Sequence, residues 1–129
     1  MLKELIAARV DLYVDQGDSY YKVITVKDNN GTVIDLTALT LLSTVRKYSN
    51  TKTVYPLTVT TEEPNLGKLI ISLNPAESMQ YNSSRYVYEI RLSDGTDTTK
   101  IMVGQILVEH GAASAYTSLA INGNQSVGE

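Results

Sequence analysis

Asp28-Asn29-Asn30-Gly31 opens like a calcium loop, with oxygen-bearing side chains ahead of a glycine. A calcium loop begun at Asp28 needs a bidentate acid at its twelfth position, and Leu39 stands there. The Asn-Gly pair suits a tight hairpin turn better, because both residues tolerate positive φ. Glu62-Glu63 with Asp94 or Asp97 would supply two carboxylates for acid–base work of the glycosidase kind. These acids sit among Pro64, Asn65, Gly67 and Gly95, where solvated loop charge is the simpler reading. His110, the single histidine, follows Glu109 at the end of a strand-like run, and no Gly-x-Ser-x-Gly elbow accompanies it. The eight glycines are scattered and build no phosphate loop. Zero cysteines exclude disulfide scaffolds, zinc ribbons and thiol catalysis. No residue is therefore assigned a catalytic, cofactor-binding or metal-binding role.

Arg46, Lys47 and Lys52 form a small basic cluster. With 11 basic against 14 acidic residues the net charge is −3, which argues against a nucleic-acid binder and makes the cluster a solvated face. The nine tyrosines are the more informative group, since the chain has no Phe and no Trp. Tyr86 and Tyr88 read as inward residues whose hydroxyls need partners. Tyr20, Tyr48, Tyr55 and Tyr116 are candidate exposed tyrosines, of the kind found at protein interfaces and sugar-binding surfaces, and Leu119 and Ile121 join them as candidate interface residues. Ordinary β-propensity also accounts for exposed tyrosines on a sheet.

The elements that must position these residues are short strands. Val10, Leu12 and Val14 alternate with polar residues, which places them on one sheet face. Tyr20 to Val26 is apolar on both faces, and predicts a strand covered on more than one side. Val33-Ile34 follows the Asn-Gly turn as a short return. In Leu41 to Tyr48 the odd residues oppose the even ones; in Val54 to Thr60, Tyr55, Leu57 and Val59 share a face and Pro56 marks an edge or bulge. Leu69, Ile71 and Leu73 point inward from the next strand. Asn74-Pro75-Ala76-Glu77 opens a helical turn running to about Tyr81, with Asn as cap and Pro in the first position. Arg85 to Leu92 follows with its even residues inward, then an Asp94-Gly95 turn. Thr99 to Glu109 is the last strand, where Gly104 marks a bulge or a close backbone approach.

About seven strands with turns between them and one helical turn predict an all-β sandwich over residues 9–110. Residues 1–8, with Leu2, Leu5 and Ile6, read as an N-terminal arm. Residues 111–129, rich in Ala, Ser, Gly and Asn, read as a C-terminal arm that orders on a neighbour. No apolar run approaches the ~20 residues of a membrane-spanning helix, and no signal peptide opens the chain.

Taken in order, Ala8-Arg9-Val10-Asp11-Leu12-Tyr13-Val14-Asp15-Gln16-Gly17, Val26 to Thr37, Val45-Arg46-Lys47, Gly67 to Leu73, Arg85 to Ile90 and Val103 to Val108 form a pattern over residues 8–110. Each string is common; their order and spacing resemble a family of tailed-bacteriophage virion proteins, and are similar to the N-terminal β-sandwich domain of phage upper-baseplate proteins. The resemblance implies an immunoglobulin-like antiparallel sandwich used as a non-enzymatic building block of a virus particle, on baseplate, tail, neck or head, without cofactor. It also implies other virion proteins and copies of the chain itself as partners, and assembly in the host cytoplasm, with no small-molecule substrate and no membrane. The two arms depart from the family pattern. A host-receptor or carbohydrate-binding module, with exposed tyrosines as its platform, is the alternative.

Overall fold

The computed structural model describes residues 7–48 and 50–110. Most of both expected arms, with Leu2, Leu5, Ile6, Tyr116, Leu119 and Ile121, lies outside the described residues. Among the described residues there are eight strands: β1 (Ala8–Arg9), β2 (Leu12–Asp15), β3 (Tyr20–Thr25), β4 (Thr40–Arg46), β5 (Thr58–Thr61), β6 (Lys68–Leu73), β7 (Arg85–Ser93) and β8 (Thr98–Glu109), with the short helix α1 (Pro75–Met79) between β6 and β7. One sheet has the order β1-β8-β7-β4, with β2 also on β8; the other has the order β3-β6-β5. The expected all-β sandwich is thus observed. With β2 to β8 lettered A to G, the sheets are A-G-F-C and B-E-D. This is an immunoglobulin-like arrangement in which the first strand sits beside the last. All pairs are antiparallel except those of β1 and β2 with β8, which are parallel.

Period-two patterning builds the core. Leu69, Ile71 and Leu73 face inward from β6, and Tyr86, Tyr88, Ile90 and Leu92 from β7; all are buried. Leu12, Val14, Val45, Ile106 and Leu36 complete the same cluster. Tyr55, Leu57 and Val59 pack against it as expected, but strand pairing begins only at Thr58, since the segment before it carries Pro56. At Ile101 a bulge in β8 lets both Ile101 and Met102 turn inward.

The turns follow their sequences. The Asp28 carboxylate accepts from the amides of Asn30 (2.8 Å) and Thr32 (2.9 Å), and Gly31 has φ +83°. This is the hairpin reading of the Asp-Asn-Asn-Gly string. Val33 makes a single bridge to Lys27 rather than a strand. Asn74 caps α1 in a capping box with Glu77 (2.7 and 2.8 Å), but the helix stops at Met79, short of Tyr81. Tyr81 is instead a buried core residue. Buried Ser78 ties α1 to the β2–β3 turn. Its hydroxyl accepts from the Gly17 amide (2.9 Å) and lies 2.7 Å from the Asp18 carbonyl.

Gly104 marks a close approach, and the bulge lies three residues earlier. The Val10 carbonyl lies against it, so that an added Cβ would stand 2.1 Å from the Val10 oxygen. Since both groups are backbone, relief requires the β1–β2 segment to move. Gly104→Ala is expected to cost about 3 kcal/mol of stability by urea denaturation, at the upper end of typical overpacking. Gly31→Ala, where φ is positive but space is open, should cost about 1 kcal/mol. Equal losses in the two variants would contradict the close-approach account.

Candidate functional site

Of the tyrosines singled out by sequence, Tyr55 is half-buried rather than exposed. Its ring centroid lies 4.7 Å from that of Tyr86 and 5.6 Å from that of Tyr81, while Tyr81 and Tyr86 are 4.8 Å apart. Tyr86 meets both other rings edge-on, and Tyr55 and Tyr81 are tilted at 48° to each other. Tyr20 is also half-buried, and burial raises the pKa of its hydroxyl. Tyr48 is broadly exposed, with the Lys47 ammonium 5.7 Å from its ring centroid. Tyr86 and Tyr88 are inward, as their alternation requires. The Tyr86 hydroxyl accepts from the Ser83 amide (2.8 Å) and lies 3.3 Å from the Asn82 side-chain oxygen, the arrangement of a tyrosine corner.

The chemistry-bearing groups have local partners. Glu63 pairs with Lys68 at 3.2 Å, and the Asp94 carboxylate accepts from the amides of Thr96 and Asp97. Those amide bonds hold Asp94 below its usual pKa. The His110 ring nitrogen Nδ1 lies 2.8 Å from the Gln16 side-chain oxygen, and Gln16 donates to the Met79 carbonyl (3.1 Å). Arg46 donates to the Thr51 carbonyl. These contacts orient loops and strand ends.

The two outer faces differ in chemistry. On the five-stranded sheet, Glu89 is bracketed by Arg91 and by Lys100 (3.7 Å), and the Arg91 hydrogen bond lowers its pKa. Arg46 and Val87 are cross-strand partners nearby. The three-stranded sheet carries two rows without charge, Tyr21–Ser72–Thr58 and Val23–Ile70–Thr60, read directly from the strand register. Tyr21 is 63% exposed and Val23 42%. Sequence reading expected both faces of β3 to be covered; the structure corrects this and leaves the Tyr21–Val23 face open. The apolarity was legible, but nothing local says whether an apolar sheet face meets core or solvent. Tyr13, 70% exposed on β2, was likewise not singled out. It alternates with buried Leu12 and Val14, which is the signal that places it outside.

The chain matches no protein-family model, and no curated protein matches it as a relative. The arrangement therefore has to be read from its own geometry. A partly apolar sheet face with two adjacent rows free of charge and a large exposed tyrosine suits contact with another protein surface. Among the described residues, no group of three or more acidic or histidine side chains converges as a metal site.

The buried hydroxyls set a pH dependence. Burial raises the pKa of Tyr81, with the nearby Tyr86, Glu77 and Tyr55 adding to it. Burial raises that of Tyr88 too, with Tyr20 and Asp11 adding. A pKa raised on folding gives stability that is present below the unfolded value, about 10, and lost as pH rises beyond it. Urea midpoints should thus fall above about pH 10. Tyr88→Phe removes one of these titrations and should make that fall shallower; parallel pH curves for the two proteins would refute the assignment.

Proposed function

We propose that this chain is a non-enzymatic structural protein of a tailed-bacteriophage particle, packing against other virion proteins and copies of itself through sheet edges and outer faces. The observation that carries the reading is the outer face of β3-β6-β5, where two rows without charge set Tyr21, Val23 and Ile70 among Ser72, Thr58 and Thr60, and the nearest charge, Lys68, stands in the next row opposite Thr25. Interface centres are depleted in charge and enriched in tyrosine, and a sheet face of this kind offers a flat, preformed contact. The order of the six sequence strings over residues 8–110 supports the same reading. So do the open sheet edges, since an edge strand is a ready template for another chain.

The test is quantitative mass spectrometry of purified particles produced from the genome that encodes this chain, measured against the major capsid protein. A fixed copy number is expected, and absence from the particles would overturn the proposal. Tyr21→Asp with Val23→Asp places two charges on the proposed contact without touching the core. That variant should stay folded but lose at least about 1 kcal/mol of association free energy per charge, reducing its incorporation several-fold. Incorporation equal to the parent would remove this face from the interface.

A further inference from the structure

The two ends of the sandwich carry opposite charge. The turns 26–39, 62–67 and 94–97 lie together at one end. The Val26 amide donates to the Gly67 carbonyl and the Leu36 amide to the Pro64 carbonyl (both 2.8 Å), and Thr40, which follows the first turn, pairs with Ser93, which precedes the third. These turns hold six carboxylates, on Asp28, Asp35, Glu62, Glu63, Asp94 and Asp97, against one ammonium, on Lys27. Asp28, Asp35 and Asp94 accept backbone amides, which favours the charged form. Lys68, the first residue of β6, pairs with Glu63. Val33 and Leu66 are exposed among these acids, and Val33 packs over Gly67, next to Leu66.

The opposite end has a basic corner. β4 ends at Arg46, whose partner Val87 stands two residues after Arg85, the first residue of β7. Lys47 and Tyr48 follow Arg46 directly. The Thr51 amide donates to the Tyr48 carbonyl (3.1 Å) and the Tyr55 amide to the Val45 carbonyl (3.0 Å), which carries Lys52 and Val54 back to the same corner. The fold thus adds Arg85 and two exposed apolar side chains, Tyr48 and Val54, to the three bases that sequence reads as a solvated face. No acid occurs in the sequence between Asp35 and Glu62. The acids of this end, Asp15, Asp18, Glu77 and Glu109, belong to β2, the β2–β3 turn, α1 and β8, across the sheet from β4. The ion pairs among the described residues lie elsewhere, at Glu63 with Lys68 and at Glu89 with Arg91 and Lys100.

We propose that copies of this chain associate end to end, the Tyr48–Val54 corner of one molecule seated on the Val33–Leu66 corner of the next. Each corner pairs an exposed apolar centre with a charged rim, and the two rims have opposite sign, Arg46, Lys47, Lys52 and Arg85 against the carboxylates of the turns. An apolar centre inside a charged rim is the layout of a protein interface, and opposite rims select the partner and its orientation. The corners cannot satisfy each other within one molecule. Strands of six to nine residues hold them about 20–30 Å apart, well beyond the screening length of about 8 Å at physiological salt. A second copy is the occupant that the chain itself supplies with matching charge. The contact joins unlike surfaces, so every added molecule presents a free corner to the next, and repetition gives a row or a closed ring. It uses the ends of the sandwich and leaves the β3-β6-β5 face free, so it does not rest on the virion reading.

Light scattering of the purified full-length chain against protein concentration tests it. At about 0.02 M salt the mean molar mass should rise with concentration, and at about 0.5 M salt, where the rims are screened, it should return toward the monomer. Two full-length variants reverse one rim each, Lys47→Glu/Lys52→Glu and Glu62→Lys/Glu63→Lys. All four side chains are exposed, so unchanged thermal melting should report that both variants fold. Each variant alone should associate at least about tenfold more weakly than the parent, and an equimolar mixture of the two should recover association. A parent that stays monomeric at low salt, single variants that associate like the parent, or a mixture that recovers nothing would each overturn the proposal. The Tyr21→Asp/Val23→Asp variant should associate like the parent in this assay; its failure to do so would overturn the end-to-end contact and assign self-association to the sheet face. None of these outcomes bears on whether the chain is found in particles.

Discussion

The Val10 carbonyl occupies a place that only glycine permits, and the first sheet is organised around it. β1 and β2 run beside β8 in one continuous register, from Ala8↔Met102 to Asp15↔Glu109, but the ladder opens between them. There the Val10 amide still donates to the Val103 carbonyl (2.9 Å), while the Val10 carbonyl turns inward over Gly104 and accepts the Tyr88 hydroxyl. The Gln105 amide, deprived of a strand carbonyl, donates to the Asp11 carboxylate at 3.0 Å. The Val10 amide and carbonyl and the Gln105 amide thereby each find a partner at the break. Three side-chain choices make this possible: none at 104, a hydroxyl at 88 and a carboxylate at 11.

With the first strand committed to β8, it is not available to β3. Among the described residues the edge of the second sheet is left open as a direct result, and the flank between β1 and β3 contains a cavity. The two outer faces then diverge in chemistry. The five-stranded sheet is dressed with Arg91, Glu89 and Lys100, whose mutual attraction is modest in solvent and keeps the face hydrated. The three-stranded sheet presents Tyr21, Val23 and Ile70 among hydroxyls, where association costs little desolvation of charge.

Much of this was legible in the sequence wherever one strand's own periodicity decides the outcome. Leu69, Ile71 and Leu73 alternate with Lys68, Ile70 and Ser72 on the outer face, and the turns at Asn30-Gly31 and Asp94-Gly95 announce themselves by the φ they need. The Asn74 cap is equally local. What escaped is what depends on a distant partner. Parallel pairing of β2 with β8 links residues 94 positions apart, as in Leu12↔Ile106, and no pattern within Leu12–Asp15 distinguishes a parallel from an antiparallel neighbour. Tyr55 was a candidate exposed tyrosine on a strand-like segment, yet it is held inward by the Tyr81 and Tyr86 rings and by its amide bond to the Val45 carbonyl (3.0 Å). β3 shows the converse: apolar on both faces, it buries one of them only halfway, because the strand that would cover its flank lies in the other sheet.

The use of tyrosine instead of phenylalanine at the buried positions 81, 86 and 88 follows from the same irregularities. Tyr81 donates to the Pro56 carbonyl in a segment where Pro56 leaves no ladder to accept it. Tyr88 reaches the Val10 carbonyl at the break in the first strand, and Tyr86 takes the Ser83 amide at the corner that turns α1 into β7. Phenylalanine would fill these positions equally well and contribute the same apolar area. It would also leave a half-buried carbonyl or amide without this partner, at a cost of up to about 1–3 kcal/mol where water does not replace it. The three buried tyrosines, Tyr81, Tyr86 and Tyr88, are therefore placed where packing and backbone repair are needed together. That dual demand ties the core to the irregular segments, and those segments in turn decide which edge and which face remain open to another strand or another protein.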